Sequence, residues 1–516
     1  MLNYQADNYG KADKEVLAEG IGAALGKGAE ALAALPGVYP LSVKHAQGGL
    51  FCLIRTSSGK YLALAGKGKA AGRYVGETFS GVKICALDAA NAAALRETFP
   101  WTAPVPIGKR ASFGTGDRLG VATPGHLLAF EGRRIFPVLA QQSMRELGRT
   151  GRTAQAVIDD AGWGAFQMGY AGTFAADADH IKKIDEALSC YRLGFTMFTI
   201  DASEQINLKA VRLSDEAAVA EFRKIPAWRE IAARYTGKSW NFSRGKLALS
   251  INFSEAELAR SALVYHAAVE HMASLYHELK REAGGEGNFD FEISVDETET
   301  DTTERDHVFV AVELAARGVQ WQSLAPKFTG QFQKGIDYIG RRGEFERQFA
   351  SHALIAEKLG PYKVSVHSGS DKFSIFPLVG QHTGGYFHLK TAGTSWLEAV
   401  RVIALKNPTL YRKMHEQALE RFEQDRATYH VTTDLGVIPD LERLEDEGLA
   451  GLMDIVDPRQ LLHITYGSLL SGKNSRGNYL FREEIYGTLY DHEQTYYEML
   501  ERHIGRHLDS LGVERT

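Results

Sequence analysis

The stretch Gly360–Pro377, GPYKVSVHSGSDKFSIFP, decides how the chain is read. Lys363 to Val366 alternate with β-branched side chains as a short buried strand does. The run stops at His367 and passes into Ser368, Gly369, Ser370, Asp371 and Lys372. In an α/β barrel the carboxyl ends of the strands form the mouth where ligands bind, so a histidine, a small-residue turn and a lysine there mark a candidate site. Taken alone, His367 fits a packing histidine as well as a ligand.

The same grammar recurs along the chain. Phe289–Asp296 (FDFEISVD) delivers Glu297 and Glu299 at its end, and Val319–Leu324 (VQWQSL) delivers Pro326 and Lys327. Tyr386–Leu389 (YFHL) brings His388, Lys390 and Thr391, and Thr196–Ile200 (TMFTI) brings Asp201. Apolar runs that each end in ionisable groups, separated by helical stretches, predict an α/β fold: a TIM-like (β/α)8 barrel with one composite site.

At 516 residues the chain exceeds a minimal barrel of ~250, so further modules are required. We expect an N-terminal α+β module over residues 1–100, containing the hairpin LFCLIRTSSGKYLALAG. A catalytic barrel follows over 101–440, with a helical insertion at about 208–284, and a helical extension over 441–516 packs on its outside. Trp163–Gly169 (WGAFQMG) reads as a strand, Gln141–Leu147 as helix, and Tyr429–Asp434 (YHVTTD) as the strand that closes the barrel. The fragment GIGAALGKG at Gly20–Gly28 fails as a phosphate loop, because Ile21 holds the first glycine's place and Gly28 the Ser/Thr place.

Composition narrows the partners. With 59 Lys+Arg against 64 Asp+Glu, the formal charge of -5 gives no reason to expect nucleic acid or an acidic membrane surface. Cys52, Cys85 and Cys190 are too scattered for a disulfide framework or a thiolate metal site. The amino terminus lacks the apolar core of a secretory leader and no later stretch matches a membrane span, so a cytoplasmic protein is expected.

Imidazoles and a carboxylate at separate strand ends form a zinc-type or manganese-type ligand set: His180, Glu297 and His367, with His388 as a fourth. Asp179 stands beside His180 in ADADHIK, so the carboxylate is placed to move a proton while the imidazole binds metal; Glu299 is the second proton-transfer candidate. A helix cap near Ile181 is the competing role for Asp177 or Asp179. Lys327, Lys372 and Lys390 supply positive charge for an anionic substrate, Lys372 being also a candidate catalytic amine. Asp117 and Arg118 in the glycine-closed loop TGDRLG, with Ser368, Ser370 and Thr391, complete the substrate-binding candidates. The histidines His266, His271 and His277 lie on a packing helix and are rejected as a site. No strand-linked GxGxxG is found, so no nicotinamide is expected.

The blocks GDRLGVATPGH, ADADHIK, VDETETDTTERDH, LAPKFTGQFQKGIDYIG, YKVSVHSGSDKFSIFP and FHLKTAGTSW together resemble the tagaturonate/fructuronate epimerase family of bacterial uronate catabolism. The resemblance implies a metal-dependent barrel enzyme that interconverts two ketouronates. Asp179-His180 and the His367-Ser-Gly-Ser turn also resemble the acid-plus-ligand pair and anion loop of metal-dependent aldolases. That likeness suits a retro-aldol inversion, because the carbon that differs lies β to the ketone and its hydrogen is not acidic. An aldolase acting on a related ketose or its phosphate, and a non-catalytic sugar-acid binding protein, are the rival readings.

Overall fold

The computed structural model describes residues 13–66 and 69–515. The reading of the first dozen residues as lacking a leader core lies outside them. Eight parallel strands close into a barrel: β1 Ser112–Thr115, β2 Phe136–Ser143, β3 Ala175–Ile181, β4 Met197–Asp201, β5 Asp290–Val295, β6 Ser323–Pro326, β7 Lys363–Val366 and β8 Phe387–Thr391. The ring closes where β8 pairs with β1, with Lys390 opposite Gly114 and Thr391 opposite Thr115. Helices follow the strands in alternation, as a parallel sheet with buried crossovers demands.

The side-chain period of two sorts each strand. Phe198 and Ile200 of β4, Phe291 and Ile293 of β5, Val364 and Val366 of β7 and Leu389 of β8 join one apolar cluster with the surrounding helices. The intervening positions are polar and meet one another inside the ring. Thr199 donates to Asp177 at 3.0 Å and Glu292 at 3.1 Å, Ser323 donates to Glu292, and His388 Nδ1 pairs with Ser112 Oγ at 2.8 Å. A barrel interior is ordinarily filled with branched apolar side chains. This one carries a hydrogen-bonded polar floor under the mouth.

Several elements differ from the sequence expectation. Trp163–Gly169 is not a strand; most of it lies in the helix Ala154–Gln167, whose first turn is capped by Thr153. A short apolar run has no period of its own, and here the cap sets the conformation. Gln141 lies in β2, and the helix begins only at Met144, capped by Ser143. Tyr429–Asp434 forms no strand: the Thr432 amide donates to the Gln333 side chain instead of a ladder, and β1 and β2 complete the ring. The 208–284 region holds the 28-residue helix Glu255–Glu282 and also an antiparallel hairpin, Ser239–Arg244 with Leu247–Asn252. Phe242 and Ile251 of that hairpin pack against Val308 and Leu354 on the barrel helices.

Upstream of the barrel a five-stranded antiparallel sheet includes the hairpin Gly49–Thr56 with Gly59–Ala65. The C-terminal helix Glu493–Ser510 packs on the helix Thr123–Phe130. Gly125 makes that approach possible, since a Cβ there would stand 2.8 Å from Leu500. Among the described residues no helix is long and apolar enough to cross a membrane.

Candidate active site

The strand ends surround a cavity of about 910 Å³ at the barrel mouth. Asp179 and His180 lie within β3, not after it, and the next helix starts at Ile184 with no aspartate cap. Consecutive strand residues ordinarily point to opposite faces. Here a break in the β3–β4 register between Ala178 and Ile181, with His180 at φ 55°, lets both side chains line the cavity. A bulge that re-aims a side chain beside a site is a recurrent device.

His180 Nδ1 lies 2.7 Å from Asp179 Oδ1, and His367 Nε2 lies 2.8 Å from Glu292 Oε1. With the ring protons given to those carboxylates, His180 Nε2 and His367 Nδ1 keep their lone pairs. Asp296 Oδ1 is 3.1 Å from His367 Nδ1, and one donor atom each from His180, Asp296 and His367 all lie within 4.8 Å of one another. Below them Lys390 Nζ sits 2.6 Å from Asp177, 2.8 Å from Asp179 and 2.9 Å from Glu292.

Charge in this cluster is unbalanced. Burial opposes ionisation of every member, but Asp177, Asp179 and Glu292 override it and hold Lys390 well above the ordinary ammonium range. Burial likewise disfavours charge on His367, yet Asp296 and Glu292 push the imidazole up to about 10. Burial pushes Asp177 up to about 6 despite Lys390, whereas Asp179 and Glu292 are held well below the usual carboxylate range by the cations around them. Four carboxylates, Asp177, Asp179, Glu292 and Asp296, therefore crowd around one ammonium, Lys390, and the two imidazoles His180 and His367. Two imidazoles, a carboxylate and surplus negative charge fit a divalent ion of the Zn²⁺ or Mn²⁺ kind, which would take the place of the proton that the carboxylates otherwise hold on His367, with Asp179 and Glu292 orienting the ring ligands from behind.

Of the residues expected from sequence, Arg118, Asp179, His180, Glu297, Glu299, Lys327, His367, Ser368, Ser370 and Lys390 line the cavity. Glu297 stands at the rim, 3.6 Å from His180 and 3.7 Å from Arg145, and Asp296 takes the inner place expected of it. The reason is periodicity: inward-facing Glu292 implies Asp296 four residues on, not Glu297. His388 lies one layer down against Ser112, and burial lowers it to about 3. It is not brought to the group formed by His180, Asp296 and His367.

Three further expectations are corrected. Asp117 closes its own loop, accepting from the amides of Leu119, Gly120 and Ala122 at 2.7–3.0 Å, while only its neighbour Arg118 reaches the cavity. Thr391 donates to Gly114 O at 2.9 Å across the barrel seam. Lys372 is fully buried away from the cavity, its ammonium donating to the carbonyls of Gln333, Ile336 and Ser370. It ties two mouth loops together. Sequence reading missed Lys334, which faces the cavity with Nζ 2.7 Å from Ser368 Oγ. The block LAPKFTGQFQKGIDYIG held the signal, a second lysine in a glycine-rich loop after a strand.

Asp371, His503 and His507 also cluster within ligand distance. There, however, His507 Nε2 accepts from the Asp371 amide at 3.0 Å, and Arg459 lies 2.8 Å from the Asp371 carboxylate. With that lone pair used and a guanidinium beside the acid, the group is a buried clamp on the β7 turn.

A closed parallel barrel whose strand ends gather ionisable groups around one cavity defines a (β/α)8-barrel enzyme. The tagaturonate epimerase family model matches residues 39–511. A tagaturonate/fructuronate epimerase of Thermotoga maritima is 44% identical over 479 residues, 92% of this chain and 96% of that protein. A glycerol-complexed fructuronate-tagaturonate epimerase from Cohnella laeviribosi superposes with a TM-score of 0.88 at 47% identity, covering 92% of this chain and 96% of its own. Its native form gives 0.88 at 46% identity with the same coverage. The chain belongs to the tagaturonate epimerase family and is an isomerase-class enzyme.

Proposed function

We propose that the chain is a metal-dependent epimerase interconverting D-tagaturonate and D-fructuronate, and that it inverts the carbinol carbon β to the ketone by retro-aldol cleavage and re-addition. The observation that carries this reading is the meeting of His180, Asp296 and His367 donors within 4.8 Å, beside the ionised Asp179. His180, Asp296 and His367 would hold the ion, which when bound supplies Lewis acidity toward the ketone oxygen.

Asp179 is the base: its carboxylate lines the cavity and takes the proton of the carbinol hydroxyl. As that proton leaves, the carbinol C–O becomes a carbonyl and the carbon–carbon bond between the α and β carbons breaks. Its electron pair passes to the ketone half as an enediolate. The aldehyde half turns its other face, the bond re-forms, and Asp179 returns the proton to the new alkoxide. Lys390 keeps Asp179 ionised before the first transfer and restores that state after the second, while Asp179 carries the proton in between.

The test is metal analysis of purified protein coupled to an assay on D-tagaturonate. Activity lost to a chelator and restored by Zn²⁺ or Mn²⁺ is expected, with nearly all carbon recovered as six-carbon product. Full activity in a metal-free preparation refutes the metal role. Release of free aldehyde in proportion to turnover favours an aldolase instead. Isotopically labelled dihydroxyacetone should enter the six-carbon pool if the bond breaks, and its exclusion would refute the cleavage route.

A further inference from the structure

We infer that Lys334, with Ser368, is the seat for the substrate's carboxylate and sets the preference for sugar acids over neutral ketoses; this rests on the epimerase reading above. Three of the other cations at the mouth are already paired with carboxylates, and of the remaining lysines that line it, Lys209 and Lys327, neither is tied by its ammonium to the β7 turn as Lys334 is. Arg118 is paired with Glu146 at 2.8 Å, Arg145 with Glu297 at 3.7 Å, and Lys390 with its three carboxylates. Among the described residues no carboxylate pairs with Lys334. Its ammonium donates only to the Ser368 hydroxyl.

The loop that carries Lys334 is built to hold it still. Four consecutive carbonyls are captured by buried side chains: Gln333 O and Ile336 O by Lys372, Lys334 O by Gln460 and Gly335 O by Arg459. Lys372 and Arg459 also grip the β7 turn, through Ser370 O and the Asp371 carboxylate. The loop bearing the ammonium and the turn bearing the hydroxyl are thus one rigid unit, the preorganisation that makes an anion site selective.

Surrounding groups agree. Arg118 Nη1 is buried with no hydrogen-bond partner, and Arg118 lines the same cavity. His463, behind Gly335 and Gly393, is fully buried with both ring nitrogens unpartnered. Burial, together with the positive charge of Arg118, Lys334 and Arg459, keeps it neutral. This wall has cations in surplus, whereas the floor has carboxylates in surplus.

Placement fits the chemistry. Ser368 follows His367 directly, so the anion seat begins about 3.8 Å along the backbone from a metal-cluster residue. In retro-aldol cleavage of a ketouronate the carboxylate stays with the aldehyde half. An anchor on that end retains the fragment while its carbonyl turns over, and a neutral ketose lacks the handle.

Lys334→Met and Lys334→Arg are compared with the native enzyme by steady-state kinetics on D-tagaturonate and D-tagatose, and by calorimetric titration with both sugars. For K334M we expect KM for the acid to rise about 10- to 100-fold, kcat to change less than about threefold, D-tagatose kinetics to stay unchanged, and K334R to recover part of the loss. An unchanged acid KM, an equal loss on both sugars, or the same effect from Lys327→Met instead overturns the inference. If the native enzyme binds D-tagaturonate and K334M does not, while neither converts it, the epimerase reading fails and the carboxylate seat stands.

Discussion

Replacing Asp371 by Asn removes one negative charge from the clamp behind the β7 turn while keeping shape and hydrogen-bonding capacity. Asp371 adopts φ 64°, a left-handed conformation that Asn tolerates as well as Asp, so backbone strain does not confound the change. Its carboxylate is 2.8 Å from Arg459 and 2.6 Å from His503, and side-chain exposures of 7%, 9% and 15% leave little solvent screening. Breaking a buried pair by neutralising one partner costs about 3–5 kcal/mol, and the retained amide contacts place D371N near 3 kcal/mol. The pH dependence follows from the same contacts. Burial alone would raise the carboxyl, but Arg459 and His503 hold it well below 3.8, so the folded state binds the proton more weakly than the unfolded chain. The contribution is therefore fully present above about pH 4, near the unfolded value, and drains away as pH falls further. Urea unfolding followed by tryptophan fluorescence should show the full gap between native and D371N proteins from pH 7 to 5, narrowing between pH 4 and 3. Equal stability at pH 7, or a gap undiminished at pH 3, refutes the reasoning.

Asp296→Ala should lower bound metal and turnover together, whereas Glu297→Gln at the rim should keep metal near the native stoichiometry; elemental analysis after dialysis distinguishes the two. Lys372→Met should cost about 1–3 kcal/mol in chemical denaturation, because three carbonyls lose their donor. Borohydride treatment of the native enzyme with substrate should trap no adduct at Lys372, and an adduct there would restore it as a catalytic amine. Lys390→Met leaves Asp177, Asp179 and Glu292 without their ammonium, so a loss of about 3–5 kcal/mol is expected at pH 7 by thermal or urea unfolding. A variant as stable as the native protein would show that the cluster is not held by charge.

Strands β5, β7 and β8 were legible because each is a short run with period-two alternation that stops at a polar cluster, and a strand's chemistry is local. The family was legible through the resemblance of its motif blocks, and His180 and His367 stood out because each follows or ends such a local run. Trp163–Gly169 was misread because Trp, Ala, Phe and Met satisfy a buried helix face as readily as a strand. Asp296 was passed over for Glu297 because the count from inward-facing Glu292 has meaning only once that residue is known to face inward.

The sequence by itself pointed to the barrel class and the kinds of side chain at the mouth, since the period and polar ends of successive segments are local features, and the resemblance of its motif blocks pointed to the family. Which lysine does what was decided only by tertiary structure. Lys334, Lys372 and Lys390 are chemically identical, yet one donates to three carbonyls, one balances three carboxylates and one meets a hydroxyl in the cavity. Those environments come from strands and loops tens to hundreds of residues apart, and an ammonium's role is set by its partners.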